Sequence, residues 1–509
     1  PPGLPRIALS PLVSFDWSEP MDDNLDRLIS RRSFLRRGSC ATLGLAGLGS
    51  QLLTSRAMAA VLDGQKFDDY KALVCVFLFG GNDNGNTLIP ISGGEQNYAD
   101  YAKSRSQLAI PARYLAESRI KPVNAGGQTF ALHPALSGVR RLFNAGNAAV
   151  LANVGTLIRP VSLAQYRNGS AKLPEQLFAH ERQAEQWQLS RPDARDGLGW
   201  GGRLADALQA ASTNRDATVS MNISISGVSQ FLAGRNVTPY VLGPDGAPRI
   251  GGEELSDRGR VELRRAYMDM LAASEDPHQP NNHAMVDAVR DVTQRAIVGR
   301  DLIDDLLQGR TQVRPPADPE NQLAMQLHTV ARLIEKAEQR LDHRRQVFFV
   351  AIGGFDHHDG LLSDEEFTEY MGPHGELLRQ VDNALTYFWD ALGRIKKRDA
   401  VTTFTASDFG RTFASNGSGS DHGWGGHHFV MGGSQVRGGR LYGEFPDIRI
   451  GGAADTGEGR FIPTTSVDAY GFELARWMGV PSSEMSTVFP NLRYFLDPAD
   501  PATHLGMLS

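Results

Sequence analysis

Four short apolar runs stand out after about residue 70, each closed by glycine: "KALVCVFLFGG" (71–81), "AAVLANVG" (148–155), "QVFFVAIGG" (346–354) and "AVTTFTASDFG" (400–410). Their apolar positions are nearly continuous, which is the pattern of strands covered on both faces, as in a parallel sheet between layers of helices. Helical spacing fills the intervals. "HPALSGVRRLFNAG" (133–146) carries Pro at an early helical position and Leu136, Val139 and Leu142 on one face. "GELLRQVDNALTYFWDALGRIKKR" (375–398) places Leu378, Val381, Leu385, Phe388 and Leu392 on one stripe and ends in basic residues that suit the helix dipole. Strands alternating with helices predict an α/β layered fold with a mostly parallel central sheet flanked by helices. The stretch 255–345 is long, amphipathic and strand-free, with a Pro-rich joint at 311–320, and is expected to be a helical insertion.

Composition alters this picture little. A net charge of −6 gives no electrostatic reason to expect nucleic acid or an anionic membrane surface. Only Cys40 and Cys75 occur, so no disulfide framework is expected, and Cys75 within "ALVCVFLF" is expected to be a buried, inert thiol.

The N-terminal region changes more. "SRRSFLRR" (30–37), a short apolar stretch interrupted by Gly, and Ala57-Met58-Ala59 have the order of an export peptide. Arg31 and Arg32, followed by Phe34 and Leu35, resemble the twin-arginine signal that exports folded proteins. Residues 1–59 are therefore expected to be an N-terminal extension and signal, with cleavage after Ala59 and residues 60–509 as one α/β domain. Met21 has the look of a natural start. The apolar stretch is too broken for a stable span, so the mature chain is expected in the periplasm or outside the cell with no membrane helix.

Candidate chemistry gathers where the apolar runs end, since ligands of open α/β sheets sit beyond the carboxyl ends of the strands. Asp83 follows the first run, in "GGNDNGN". Asp356 and His358 follow the third, and Asp408 the fourth. Asp421, His422, His427 and His428 lie in "SDHGWGGHHFVMGG", expected to be a glycine-rich loop. Asp356 and His358 are two apart and so share one side of an extended segment. Carboxylates mixed with imidazoles suit zinc first, or manganese or iron, better than calcium or magnesium. The expectation is a centre of one or two metals held by Asp83, Asp356, His358, Asp408 and His422 or His427. The duller alternative for each aspartate is a helix cap, and for the histidines packing.

"LVCVFLFGGNDNGNTLIP", "LHPAL", "LFAHERQAEQWQ", "GGFDHHDG", "SDFGRT" and "DHGWGGHHFVMGG" resemble the exported domain-of-unknown-function 1501 family. That family is grouped with the alkaline phosphatase and sulfatase superfamily. The resemblance implies an alkaline-phosphatase-like fold and a metal-dependent hydrolase of phosphate or sulfate esters, small or polymeric. It places the superfamily's metal ligands on the same aspartates and histidines. The nucleophile is the departure. Relatives commonly have Ser before the histidine of "LFAHERQ", whereas Ala179 precedes His180 here. Thr156 and Thr87 are substitutes without a convincing motif, and the Cys/Ser-x-Pro-x-Arg segment of ordinary sulfatases does not occur. His180 and His133 are the candidate acid or base, and Arg411 the candidate anion binder. The rival expectation is a non-catalytic exported binding or assembly protein on the same fold.

Overall fold

The computed structural model describes residues 67–509 apart from 195–196, 211–213, 215–216, 245, 247–297 and 363–369. The chain divides into two units, Pro1–Val61 and Leu62–Ser509, and every described residue falls in the second. The expected signal over 1–59 and the part of the expected insertion from 255 to 297 lie outside the described residues.

The strands are β1 (Lys71–Leu78), β2 (Leu88–Ser92), β3 (Arg119–Ile120), β4 (Thr129–Leu132), β5 (Ala148–Gly155), β6 (Asn222–Ser224), β7 (Tyr240–Val241), β8 (Arg345–Ile352), β9 (Val401–Ser407), β10 (Gly426–Met431), β11 (Leu441–Tyr442) and β12 (Thr465–Ser466). The helices used below are α1 (Tyr98–Arg105), α2 (Ser137–Asn144), α3 (His180–Leu189), α4 (Trp200–Ala210), α5 (Gln322–Arg340), α6 (Gly372–Arg394) and α7 (Val467–Met478). The four apolar runs are β1, β5, β8 and β9. They form the middle of a sheet ordered β11-β5-β10-β9-β1-β8-β6-β7, with β12 beside β5. All pairings in it are parallel except those of β10.

Burial on both faces explains the unbroken apolar pattern. Ala72, Val74, Val76 and Leu78 of β1 join one core cluster with Val139 of α2, Leu327 of α5 and the whole expected stripe of α6. Leu73, Cys75 and Phe77, pointing the other way, join a second cluster with Trp187 of α3, Trp200 of α4 and Tyr470 of α7. The result is a mixed α/β fold of three layers, helices on either side of a mostly parallel sheet. Among the described residues no helix is long and apolar enough to cross a membrane.

One expectation is corrected. His427 and His428 are not in a loop but on β10, which runs antiparallel between β5 and β9 and is buried along its whole length. "GHHFVM" has the closely packed, apolar end of a central strand, and two histidines obscure it. A separate three-stranded antiparallel sheet, β2-β4-β3, is formed by the chain between β1 and β5. Its strands are too short and mixed to announce themselves.

Candidate metal centre

Register places the site. Leu78, the last residue of β1, is paired with Ile352, the last of β8, and with Ser407, the last of β9. Three parallel strands therefore end level, and the segments carrying Asp83, Asp356 and His358, and Asp408 leave the sheet side by side. Because β10 returns antiparallel, the whole connection from Asp408 to Gly425 stays on this edge and brings His422 with it. His180 arrives from the other side, as the first residue of α3.

The stretch "GGNDNGN" is a tie between these segments. Gly80 and Gly81 have φ of +108° and +80°, and a Cβ on Gly80 would lie 2.5 Å from the backbone N of Asp356. Glycine is required there both for its backbone and for the close approach. The Gly80 N–H donates to Oδ2 of Asp408 at 3.0 Å. Asn84 accepts from the backbone N of Arg411 at 3.1 Å, and Asn82 accepts from Nε2 of His374 at 3.1 Å. Asn86 binds the Leu108 carbonyl and the Tyr101 hydroxyl.

Four side chains converge in front of this tie. One ligand atom each from His180, Asp356, His358 and His422 all lie within 4.8 Å of one another. Nε2 of His180 and Nε2 of His358 are each 3.1 Å from Oδ1 of Asp356, and Nε2 of His422 is 3.5 Å from it. What makes the set fit a cation is what lies behind each ring. Nδ1 of His180 donates to Oδ2 of Asp408 at 2.8 Å, and Nδ1 of His358 to Oδ1 of Asp421 at 2.9 Å. Nδ1 of His422 donates to the Phe178 carbonyl at 2.6 Å. Each acceptor holds a hydrogen on Nδ1, so that whenever a ring is neutral its Nε2 lone pair faces the shared space. Nε2 of His180 is buried there without an aligned hydrogen-bond partner. The Nε2 atoms of His358 and His422 stand 2.9 Å apart. Two lone pairs that close repel unless positive charge lies between or beside them. In a tetrahedral site with bonds of about 2.1 Å, ligand atoms are about 3.4 Å apart; four of the six separations here are 2.9–3.5 Å and all are within 4.8 Å.

The electrostatics agree. Partial burial works to raise the Asp356 carboxyl, but Arg411 and His180 outweigh it and hold it at about 2. Burial opposes charge on His180, yet Asp408 and then Asp356 raise its pKa above the ordinary value. His422 is lowered, chiefly by burial and further by His180 and Arg411. A carboxylate already ionised and an imidazole held neutral are ready ligands.

The remaining expected residues lie as follows. Asp408 stands behind His180 and orients it. Arg411 has its side chain wholly buried, donating to Oδ1 of Asp356 at 2.8 Å, to the Gly80 carbonyl at 3.0 Å and to Ser420; it is engaged by protein acceptors and positions Asp356. Asp83 is outside the four-residue group and pairs with Arg105. His427 is buried, accepts from the Asn153 N–H on Nδ1 and stacks on Phe445, with burial pushing its pKa down to about 3. His133 is buried between the Ala135 N–H and the Tyr370 carbonyl, its pKa pushed down to about 4 by burial. The Thr156 hydroxyl faces Gln183. Trp424 is buried, donating to the Thr156 carbonyl. Sequence reasoning placed His180 as an acid or base and gave Asp421 no role of its own; no spacing rule joins residue 180 to residues 356–422, and only the edge geometry reveals it.

The profile of the family described as "Protein of unknown function (DUF1501)" matches residues 70–457. No curated protein matches the chain. Among solved structures, Ps i-CgsB in complex with k-i-k-neocarrahexaose is similar at 11% identity with a TM-score of 0.35, covering 86% of this chain and 78% of that one. The PsFucS1 sulfatase from Pseudoalteromonas sp. is similar at 8% identity with a TM-score of 0.30, covering 89% of this chain and 73% of that one. Likenesses this faint carry no inference about fold or activity.

Proposed function

We propose that this chain, which belongs to the DUF1501 family, is an exported metal-dependent hydrolase of phosphate or sulfate esters with an alkaline-phosphatase-like fold. The observation that carries the reading is the convergence of three imidazoles, each anchored through Nδ1, on one carboxylate oxygen. His180, Asp356, His358 and His422 would hold a divalent ion, zinc before manganese or iron, because nitrogen-rich sets favour those metals. Bound there, the ion would polarise an ester oxygen and ease deprotonation of water. The protein's own part is to keep the ligands in register. Asp408, Asp421 and the Phe178 carbonyl hold the three Nδ1 protons, and Arg411 holds Asp356 and keeps it ionised. Export rests on the twin-arginine pattern at Ser30–Arg37, which points to the twin-arginine machinery and to a periplasmic or extracellular location.

A second reading is a non-catalytic exported binding or assembly protein that retains the metal. Ala179 favours it: the residue before His180 sits at the start of α3 and offers no hydroxyl. Metal analysis combined with turnover of activated phosphomonoesters, phosphodiesters and sulfate esters separates the two. Hydrolysis abolished by Asp356→Asn supports the enzyme. Metal bound with no ester turned over supports the binding protein.

A further inference from the structure

Asp83, which the sequence marks as a ligand, lies outside the four-residue group and is paired with another cation. Its Oδ2 lies 2.5 Å from Nη2 of Arg105, and the two side chains are 1% and 0% exposed. Arg105, the last residue of α1, is locked in turn. Its Nη1 donates to the carbonyls of Thr412 and Phe413 at 3.1 Å each, and its guanidinium lies 5.3 Å from the centre of the Phe413 ring. A guanidinium does not lose its proton in a protein, so this is a permanent positive charge at a fixed place.

We propose that Arg105 takes the place of a second cation at Asp83, so that the centre operates with a single metal. The inference rests on the metal-centre reading above and deepens it. A carboxylate this buried needs a cationic partner, and Arg105 already supplies one. A divalent ion could reach Asp83 only by expelling a guanidinium that is bound to two carbonyls and covered by a ring. The neighbouring groups are consistent with a second site kept closed. Oδ1 of Asp83 and Nδ1 of both His357 and His374 are buried without an aligned hydrogen-bond partner. Yet among the described residues they do not converge: the only group of ligand atoms within 4.8 Å of one another is His180, Asp356, His358 and His422. The pair has a structural effect on the centre as well. By gripping the Thr412 and Phe413 carbonyls, Arg105 fastens the segment after Arg411 to the end of β1, and Arg411 carries Asp356.

The chemical consequence is that one ion cannot clamp both the attacking and the leaving oxygen of a transferring group, as a pair about 3.5–4 Å apart does. The leaving oxygen must be served by protein groups or water.

The test is metal stoichiometry on the full chain. Metal-free protein is loaded with zinc, manganese or ferrous ion alone, dialysed, and analysed by mass spectrometry of the elements together with calorimetric titration. One ion per chain is expected. Two ions per chain overturn the inference while leaving the metal-centre reading standing; none overturns that reading and the inference with it. Asp83→Asn should keep one ion with affinity within about threefold, whereas loss of a ligand or its support costs about 10–100-fold or more. Should that variant fail to fold, Arg105→Lys keeps a cation beside Asp83 and should also hold one ion; a second ion in that variant, or a loss above about threefold in folded Asp83→Asn, contradicts the proposal.

Discussion

Nδ1 of His180 meets Oδ2 of Asp408 at 2.8 Å across 228 positions of sequence, and this bond decides which nitrogen of His180 is free to bind. The same oxygen of Asp408 also accepts the Gly80 N–H at 3.0 Å, which fixes its place at the end of β1. Asp408→Ala should therefore lower metal affinity about 10–100-fold, the range seen for groups that orient a ligating imidazole. His180→Ala should lower it further. Chelator competition measures both, and far-UV circular dichroism checks that the fold survives.

The pH dependence should have opposite signs with and without metal. In the metal-free protein the His180 pKa is raised by Asp408 and Asp356 against the opposing effect of burial. Its ion pairing then stabilises the fold fully below the unfolded imidazole pKa and fades as pH rises through the raised folded value. Metal competes with that same proton. Affinity should fall about tenfold per unit as pH drops below the raised value, where one proton must leave for each ion bound. Asp356, held at about 2, contributes no titration above pH 4. Calorimetry in buffers of different ionisation enthalpy counts the released protons, and zero released at pH 6 would contradict the ligand role of His180.

Phe178 acts through its backbone. Its φ of +76° is unusual for a non-glycine residue and aims its carbonyl at Nδ1 of His422. Arg460, lying 5.3 Å from the centre of the Phe178 ring, donates to the His422 carbonyl, so His422 is held at both ends. Phe178→Gly relieves strain of about 1–3 kcal/mol and should leave metal affinity within about threefold, since the tautomer-setting carbonyl remains. Phe178→Pro cannot adopt a positive φ and should cost about 10–100-fold. Equal effects of the two would show that the ring, not the carbonyl, matters.

The Asp83–Arg105 pair should behave as a buried ion pair in stability. Removing either partner alone strands a charge and should cost about 3–5 kcal/mol. Asp83→Leu with Arg105→Met should recover part of that, because no charge is then stranded, although the Thr412 and Phe413 carbonyls lose the Arg105 donor. Denaturant unfolding of the two single variants and the double variant measures the coupling, and strict additivity would rule it out.

The legible part of the fold was the part with one dominant signal. β1, β5, β8 and β9 are each buried on both faces and so read as unbroken apolar runs. The α6 stripe was legible for the same reason, since one core cluster takes all five of its expected residues. β10 was not legible, because adjacent histidines on a strand resemble ligands in a loop until the strand's burial is known. In the site, Asp356, His358 and His422 were visible as types in suitable places. The difference between ligand and support was not. Asp408 and Asp83 look alike in sequence, each an aspartate after an apolar run, and only Arg105 and His180, arriving from distant helices, distinguish them.

X-ray absorption at the metal edge of the loaded protein tests the central claim most directly. Three imidazole nitrogens and a carboxylate oxygen at about 2.0–2.2 Å are predicted for zinc, with the imidazole contribution reduced by one in His422→Ala. A first shell made only of oxygens, or one unchanged in His180→Ala, His358→Ala and His422→Ala, would contradict it.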